Sequence, residues 1–168
     1  MPPAIDRRSS HRFLAMRKHV ASLCNAPRDA AQWHTVADLG VQILALEGKD
    51  FSVATWLTAA LWETSGPEGL AQGVLILSDL IEHEWHDIAP CPHTIERRTQ
   101  MQWLLDHLDE RLHPEEEMYP ALPARMHRAL LDDWVTLTCV WERHDIELPK
   151  FYRLHARLCS LPVTPPER

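Results

Sequence analysis

Apolar side chains return at three- and four-residue intervals through almost the whole chain, and Gly and Pro interrupt that rhythm repeatedly. Such spacing gathers residues on one stripe of an α-helix, whereas a half-buried strand needs strict alternation. No alternation is sustained anywhere, so the pattern predicts an all-α fold. The breaks fall at Pro27, Gly48, Gly66-Pro67, Pro90-Cys91-Pro92, Pro114, Pro120, Pro123 and Pro149. They divide the chain into about seven helical segments, expected to pack as one antiparallel bundle.

The first segment, about 8–25, carries Phe13, Met16, Val20 and Leu23 on one face. The second, about 28–47, aligns Trp33, Val36, Ala37, Gly40, Ile43 and Leu44. Asp50 is the expected N-cap of a third helix with Ala54, Leu57 and Leu61 inward, ending at Ser65-Gly66. Pro67 suits the first position of a fourth helix, which lines up Leu70, Gly73, Val74, Leu77, Ile81 and Trp85. Gly69 reads as slack in the first turn of that helix and Gly73 as a close helix contact. After the prolines at 90 and 92, Thr94 is the expected cap of a fifth helix with Met101, Leu104, Leu105, Leu108 and Leu112. A long helix through Met126, Leu130, Trp134, Leu137 and Trp141 follows a Pro-rich bend, and a short one runs from Pro149 to about Ser160. The expected organisation is a flexible start at 1–8, one helical domain at 9–160, and a Pro-rich tail or linker at 161–168.

Composition narrows the function. A length of 168 residues with 45% hydrophobic content supports a single sizeable core. A net charge of -7 opposes a nucleic-acid grip, and the one basic cluster, Arg7, Arg8, Arg12, Arg17 and Lys18, reads as a solvated helix end. No run is apolar enough to span a membrane, and the start lacks a signal-peptide core. Cys24, Cys91, Cys139 and Cys159 are scattered, which suits reduced thiols in the cytoplasm.

The 11 histidines invite a metal hypothesis, centred on Glu82-His83-Glu84-Trp85-His86-Asp87. A zincin helix needs histidines four apart; His83 and His86 are three apart, which favours a polar helix end around Trp85. One Glu-x-x-His spacing, Glu110 to His113, lacks the second copy that a di-iron bundle requires. Glu142-Arg143-His144-Asp145 reads as a charged helix terminus. No nucleophile elbow and no phosphate-binding glycine loop is present, so no catalytic residue, cofactor or metal is assigned. Seven tryptophans are left to explain. Trp33, Trp85, Trp134 and Trp141 fall on apolar stripes, whereas Trp56 and Trp62 fall off theirs and are the candidate partner-binding residues.

The centre of the chain resembles a known family. Trp33-x-x-Val36, Lys49-Asp50-Phe51-Ser52-Val53-Ala54-Thr55-Trp56-Leu57 and Gly66-Pro67-Glu68-Gly69-Leu70-Ala71-Gln72-Gly73 stand in order. Leu75, Leu77, Leu80, Trp85, Pro90, Pro92, Arg97 or Arg98, and Trp103-Leu104 follow. This succession is similar to the ImpA N-terminal domain of TssA-like type VI secretion proteins, over about residues 30–110. His86 intervenes between Trp85 and Asp87, and His93-Thr94-Ile95 replaces a usually acidic stretch. TssA-like proteins are usually much longer, with a C-terminal part that forms rings; the sequence reads as either an isolated N-terminal domain or a shortened relative, so ring formation is not carried over.

The resemblance implies a non-catalytic structural or adaptor role in type VI secretion, through contacts with baseplate, sheath, tube or membrane-complex components. It implies help with assembly or with capping of the sheath. The rival readings are a metal-dependent enzyme built on His83 and His86, and a self-associating bundle.

Overall fold

In a computed structural model, the described residues are 10–87, 94–113 and 119–165. Arg7, Arg8, Pro90, Cys91, Pro92, Pro114 and Pro166 lie outside them, and so do the expectations placed on them. Among the described residues there are six helices: α1 (His11–Leu23), α2 (Ala30–Leu46), α3 (Phe51–Glu84), α4 (Thr94–Arg111), α5 (Ala124–Glu142) and α6 (Lys150–Cys159). Two short strands, β1 (Leu122–Pro123) and β2 (Val163–Thr164), pair in parallel.

Six helices replace the expected seven because the segments on either side of Gly66 follow one another without a connecting loop, forming the single element α3 with non-helical backbone at Gly66 alone. That helix is nevertheless sharply bent. A straight helix of 34 residues is about 51 Å long. Lys49 Nζ, just before its start, lies 2.7 Å from Oε1 of Glu84 at its end. The two arms, 51–65 and 67–84, therefore double back on one another. Gly66 makes the reversal with φ 63° and ψ -144°, a conformation that a Cβ strongly disfavours.

Close approach of the arms rests on two further glycines. A Cβ on Gly69 would lie 2.0 Å from the carbonyl oxygen of Leu61, and one on Gly73 would lie 2.6 Å from the Thr58 methyl. Gly69 is thus a steric requirement rather than slack. Gly73 is the close contact that its position on the apolar stripe predicts.

The first arm of α3 is the centre of the molecule. Every residue from 51 to 60 is buried, because α2, α4 and α5 all pack on α3. Its buried hydroxyls are satisfied locally: Thr55 donates to the Ser52 carbonyl and Thr58 to the Ala54 carbonyl, each at 2.8 Å. Asp50 caps this arm as expected, accepting from the Val53 amide at 3.1 Å. α1 lies on α2 through Phe13, Met16, Val20 and Leu23, all buried.

α5 and α6 close the other side. Trp134 donates its indole N–H to the Phe151 carbonyl at 2.8 Å, and Leu137 and Trp141 are fully buried. Asp109 on α4 holds Arg157 at 2.8 Å and Arg153 at 3.1 Å on α6. The supposed tail is partly structural: Leu161 is buried, the Leu122 amide donates to the Pro162 carbonyl at 2.9 Å, and Val163–Thr164 pairs with β1. Prolines disfavour a helix here, but they do not stop residues 161–164 from reaching back to the backbone at Leu122.

The hairpin geometry makes a direct prediction. Gly69→Ala is expected to lower stability by about 2–3 kcal/mol, since the rigid Leu61 carbonyl cannot yield. Gly66→Ala, with open space around its Cβ, is expected to lower it by about 1–2 kcal/mol through backbone strain alone. Urea denaturation followed by circular dichroism measures both; a Gly69→Ala loss under about 0.5 kcal/mol would show that the arms do not touch there.

Candidate functional site

Several of the residues that carry the family resemblance meet at the open end of the α3 hairpin. Lys49 pairs with Glu84, and the Phe51 and Trp85 rings meet edge to face at 6.5 Å. Trp141 from α5 stacks on Phe51 at 6.2 Å and meets Trp85 edge-on at 5.8 Å. Arg97, 3% exposed, lays its guanidinium over the Trp85 ring at 4.6 Å and donates to the Trp85 carbonyl. Arg98 instead binds Asp145 at 2.6 Å, so of the two arginines it is Arg97 that locks the motif. Leu57, Leu70 and Leu104 are buried in the same core. These side chains build the fold and leave little surface for a partner.

The histidine-rich stretch does not assemble. His83 points to Asp79, with Nε2 3.6 Å from Oδ1, and is well exposed. His86 lies instead beside His144, with ring centroids 6.4 Å apart. His144 stacks on Trp85 at 4.6 Å and 15°. Burial lowers the His144 pKa, and the neighbouring His86, Arg143 and Arg97 lower it further. His113 bonds the Glu110 carbonyl at 2.7 Å, and Glu142 accepts from the Tyr152 hydroxyl. Among the described residues, no group of three or more His, Cys, Asp or Glu side chains is placed to hold a metal ion.

Trp56 and Trp62 require a correction. They are 7% and 5% exposed, with Trp56 against Phe13 at 5.6 Å and Trp62 against Tyr119 at 5.1 Å. Falling off a single apolar stripe marks an exposed residue only when the helix has an exposed face. The first arm of α3 has none over 51–60, so its off-stripe tryptophan is buried too.

Among the seven tryptophans, Trp103 alone is only partly buried. It stands on α4 between two surface hollows. One, of about 260 Å³, lies toward Leu23, Pro27 and Trp33; the other, of about 490 Å³, lies toward Arg98, Ile146 and Leu148. Trp103 and Asp106 line both. Ile146 is 52% exposed beside the ring. An indole flanked by depressions and a bare aliphatic side chain has the chemistry of a protein-contact anchor.

The ring is held from behind. Trp103 stacks on His107 at 5.6 Å and 16°, and His107 also contacts Trp33 at 5.2 Å. Nε2 of His107 is 3.0 Å from Oε1 of Glu63, and Arg111 donates to both Glu63 oxygens at 2.6 and 2.9 Å. Burial pushes the Glu63 carboxyl up, but the hydrogen bonds and charges of His107 and Arg111 outweigh it, leaving the pKa below its ordinary value. Sequence reasoning treated Trp103 as a motif residue only. The available signal was its place beside, not on, the Met101, Leu104, Leu105 and Leu108 stripe.

Residues 2–106, more than half of the chain, match the family described as ImpA, N-terminal, type VI secretion system. The chain belongs to that family. The ImpA N-terminal match takes in α1 to α3 and most of α4, including Trp103, and stops before α5 and α6. No curated protein and no solved structure matches the chain significantly. Among the described residues, no helix is long and apolar enough to cross a membrane.

The Glu63 clamp predicts a defined pH response. A carboxyl with a depressed folded pKa contributes stability above its unfolded value and loses it as pH falls through the folded value. Glu63→Gln is therefore expected to destabilise the protein by about 1–3 kcal/mol at neutral pH, with the gap to the parent narrowing below about pH 4. Urea titrations from neutral to acid pH check this; a gap that stays constant would show that the carboxylate charge is not the stabilising element.

Proposed function

We propose that this ImpA N-terminal protein is a non-catalytic adaptor of a bacterial type VI secretion system, acting in the cytoplasm through the α4 face around Trp103. Membership of the family supplies the system, and the partly bare Trp103 supplies the surface. Its partner is a baseplate, sheath, tube or membrane-complex component, and its action is to help assembly or to cap the sheath. The helical domain over 9–160, which we read as an antiparallel bundle, would present this face rigidly, since the stack onto His107 and the Glu63–Arg111 pair restrain the ring. Pre-ordering of that kind limits the entropy lost on binding. Catalysis has no support in the site: His83 and His86 diverge, and the hollows beside Trp103 hold Asp106 in each, with Lys150 already paired to it.

The experiment is capture of separately expressed type VI components by the purified chain. One component is expected to be retained, and Trp103→Ala is expected to weaken that retention at least about tenfold, as for a central aromatic anchor. The same substitution should lower stability by only about 1 kcal/mol, because the side chain is partly buried. Trp56→Ala, in the core, should instead lower stability by about 3–5 kcal/mol. Retention of a component unaffected by Trp103→Ala in a folded protein would move the contact surface elsewhere.

A further inference from the structure

We infer that a second surface, the groove between α2 and the second arm of α3, residues 67–84, docks an amphipathic helix with an apolar stripe and cationic flanks. The groove encloses about 340 Å³, with Leu57 at its floor, Leu44 and Ala45 on one wall and Ile76 and Leu80 on the other. Val41, in its lining on the α2 side, is 55% exposed, and Leu75, outside the lining but one helical turn before the lining residue Asp79, is 53% exposed. Aliphatic groups bare to this extent along two adjacent helices are unpartnered apolar surface.

The shape and chemistry select the occupant. A strand would need an open backbone edge, and helical hydrogen bonds leave none along these walls. A small ligand would need convergent polar anchors, whereas the lining offers one carboxylate and one ammonium, and that ammonium, Lys49, is held by Glu84 at 2.7 Å. A helix fits a trough between helices by setting residues at i, i+3 or i+4, and i+7 into it.

The rim carries negative charge. Asp79 lines the groove with its side chain 68% exposed, and Glu82 follows at 48%. Asp38 stands exposed one turn before Val41. The facing basic side chains are Lys49, already paired, and the His83 ring, which lies beside Asp79 and Glu82. Lys or Arg flanking the stripe of an incoming helix would complement these acids, while a second copy of this chain would bring the same acids and a net charge of -7. The groove shares no lining residue with the hollows at Trp103, so its test is independent of that surface.

The test uses the full chain and three fluorescent peptides of about five turns. One has a Leu stripe at helical spacing with Lys flanks, one has Glu in place of Lys, and one has the first peptide's composition scrambled. Anisotropy is expected to show the Lys-flanked helix binding about tenfold or more tighter than either other peptide, and weakening with salt. Val41→Gln with Leu75→Gln should weaken it by a similar factor, as should Asp38→Lys with Asp79→Lys, and Trp103→Ala should leave it unchanged. Asp38, Val41, Leu75 and Asp79 are all exposed, so circular dichroism should show unaltered folding for these variants. Equal binding of the scrambled peptide, no binding at all, or a dimer in sedimentation that Val41→Gln with Leu75→Gln dissolves would each overturn the inference; the last would assign the groove to a second copy.

Discussion

The reversal at Gly66 governs the molecule because it turns one run of helix into two arms that must touch along their length. Backbone approach at this distance leaves no room for a Cβ at Gly69 or Gly73, and Thr58 and Leu61 fill the space instead. Once the arms are closed, residues at opposite ends of α3 become neighbours, and Lys49 meets Glu84 while Phe51 meets Trp85. The other helices pack around this hairpin: α2, α4 and α5 most extensively, α1 on α2 with Phe13 reaching Trp56, and α6 on α4 and α5. A helix surrounded in this way cannot have a solvent face, which explains why residues 51–60 are buried without exception.

The hairpin needs helices from beyond the family match to complete its core. Residues 2–106 supply Phe51, Trp85 and Arg97, yet the aromatic cluster at the open end is finished by Trp141 on α5. Edge-to-face and stacked rings at these distances add to the area they remove from water. α6 is then tied to α4 by the Asp109 carboxylate, which faces both Arg153 and Arg157. Arg157 also donates to the Asp109 carbonyl at 2.6 Å, which fixes the guanidinium by two separate groups on one residue. The short β1–β2 pairing secures the end of this layer against its beginning.

This packing sorts the aromatic side chains by role. Six tryptophans are consumed by the core, and Trp103 is left at the surface, stacked on a histidine whose own position depends on Glu63. The proposed contact face is thus a consequence of the core: the clamp that joins α4 to α3 also presents the indole. The apolar trough also involves the hairpin, since α2 lines one side and the second arm of α3 the other, with Leu57 of the first arm between them.

Much of the fold was legible in the sequence, because helical periodicity, caps and breakers act over a few residues. The buried stripes of α1, α2 and α5, the cap at Asp50, the turn at Gly66 and the family signature all follow from local spacing. Three things depended on tertiary structure. Whether Gly69 was slack or a steric necessity depended on Leu61, eight residues away across the turn. Whether 161–164 frayed or folded depended on the backbone edge at Leu122. Whether Trp56, Trp62 or Trp103 reached solvent depended on how many neighbours surrounded each helix, which periodicity along one chain does not encode. Periodicity marks the side of a helix that must be buried; only packing decides whether the other side is buried as well.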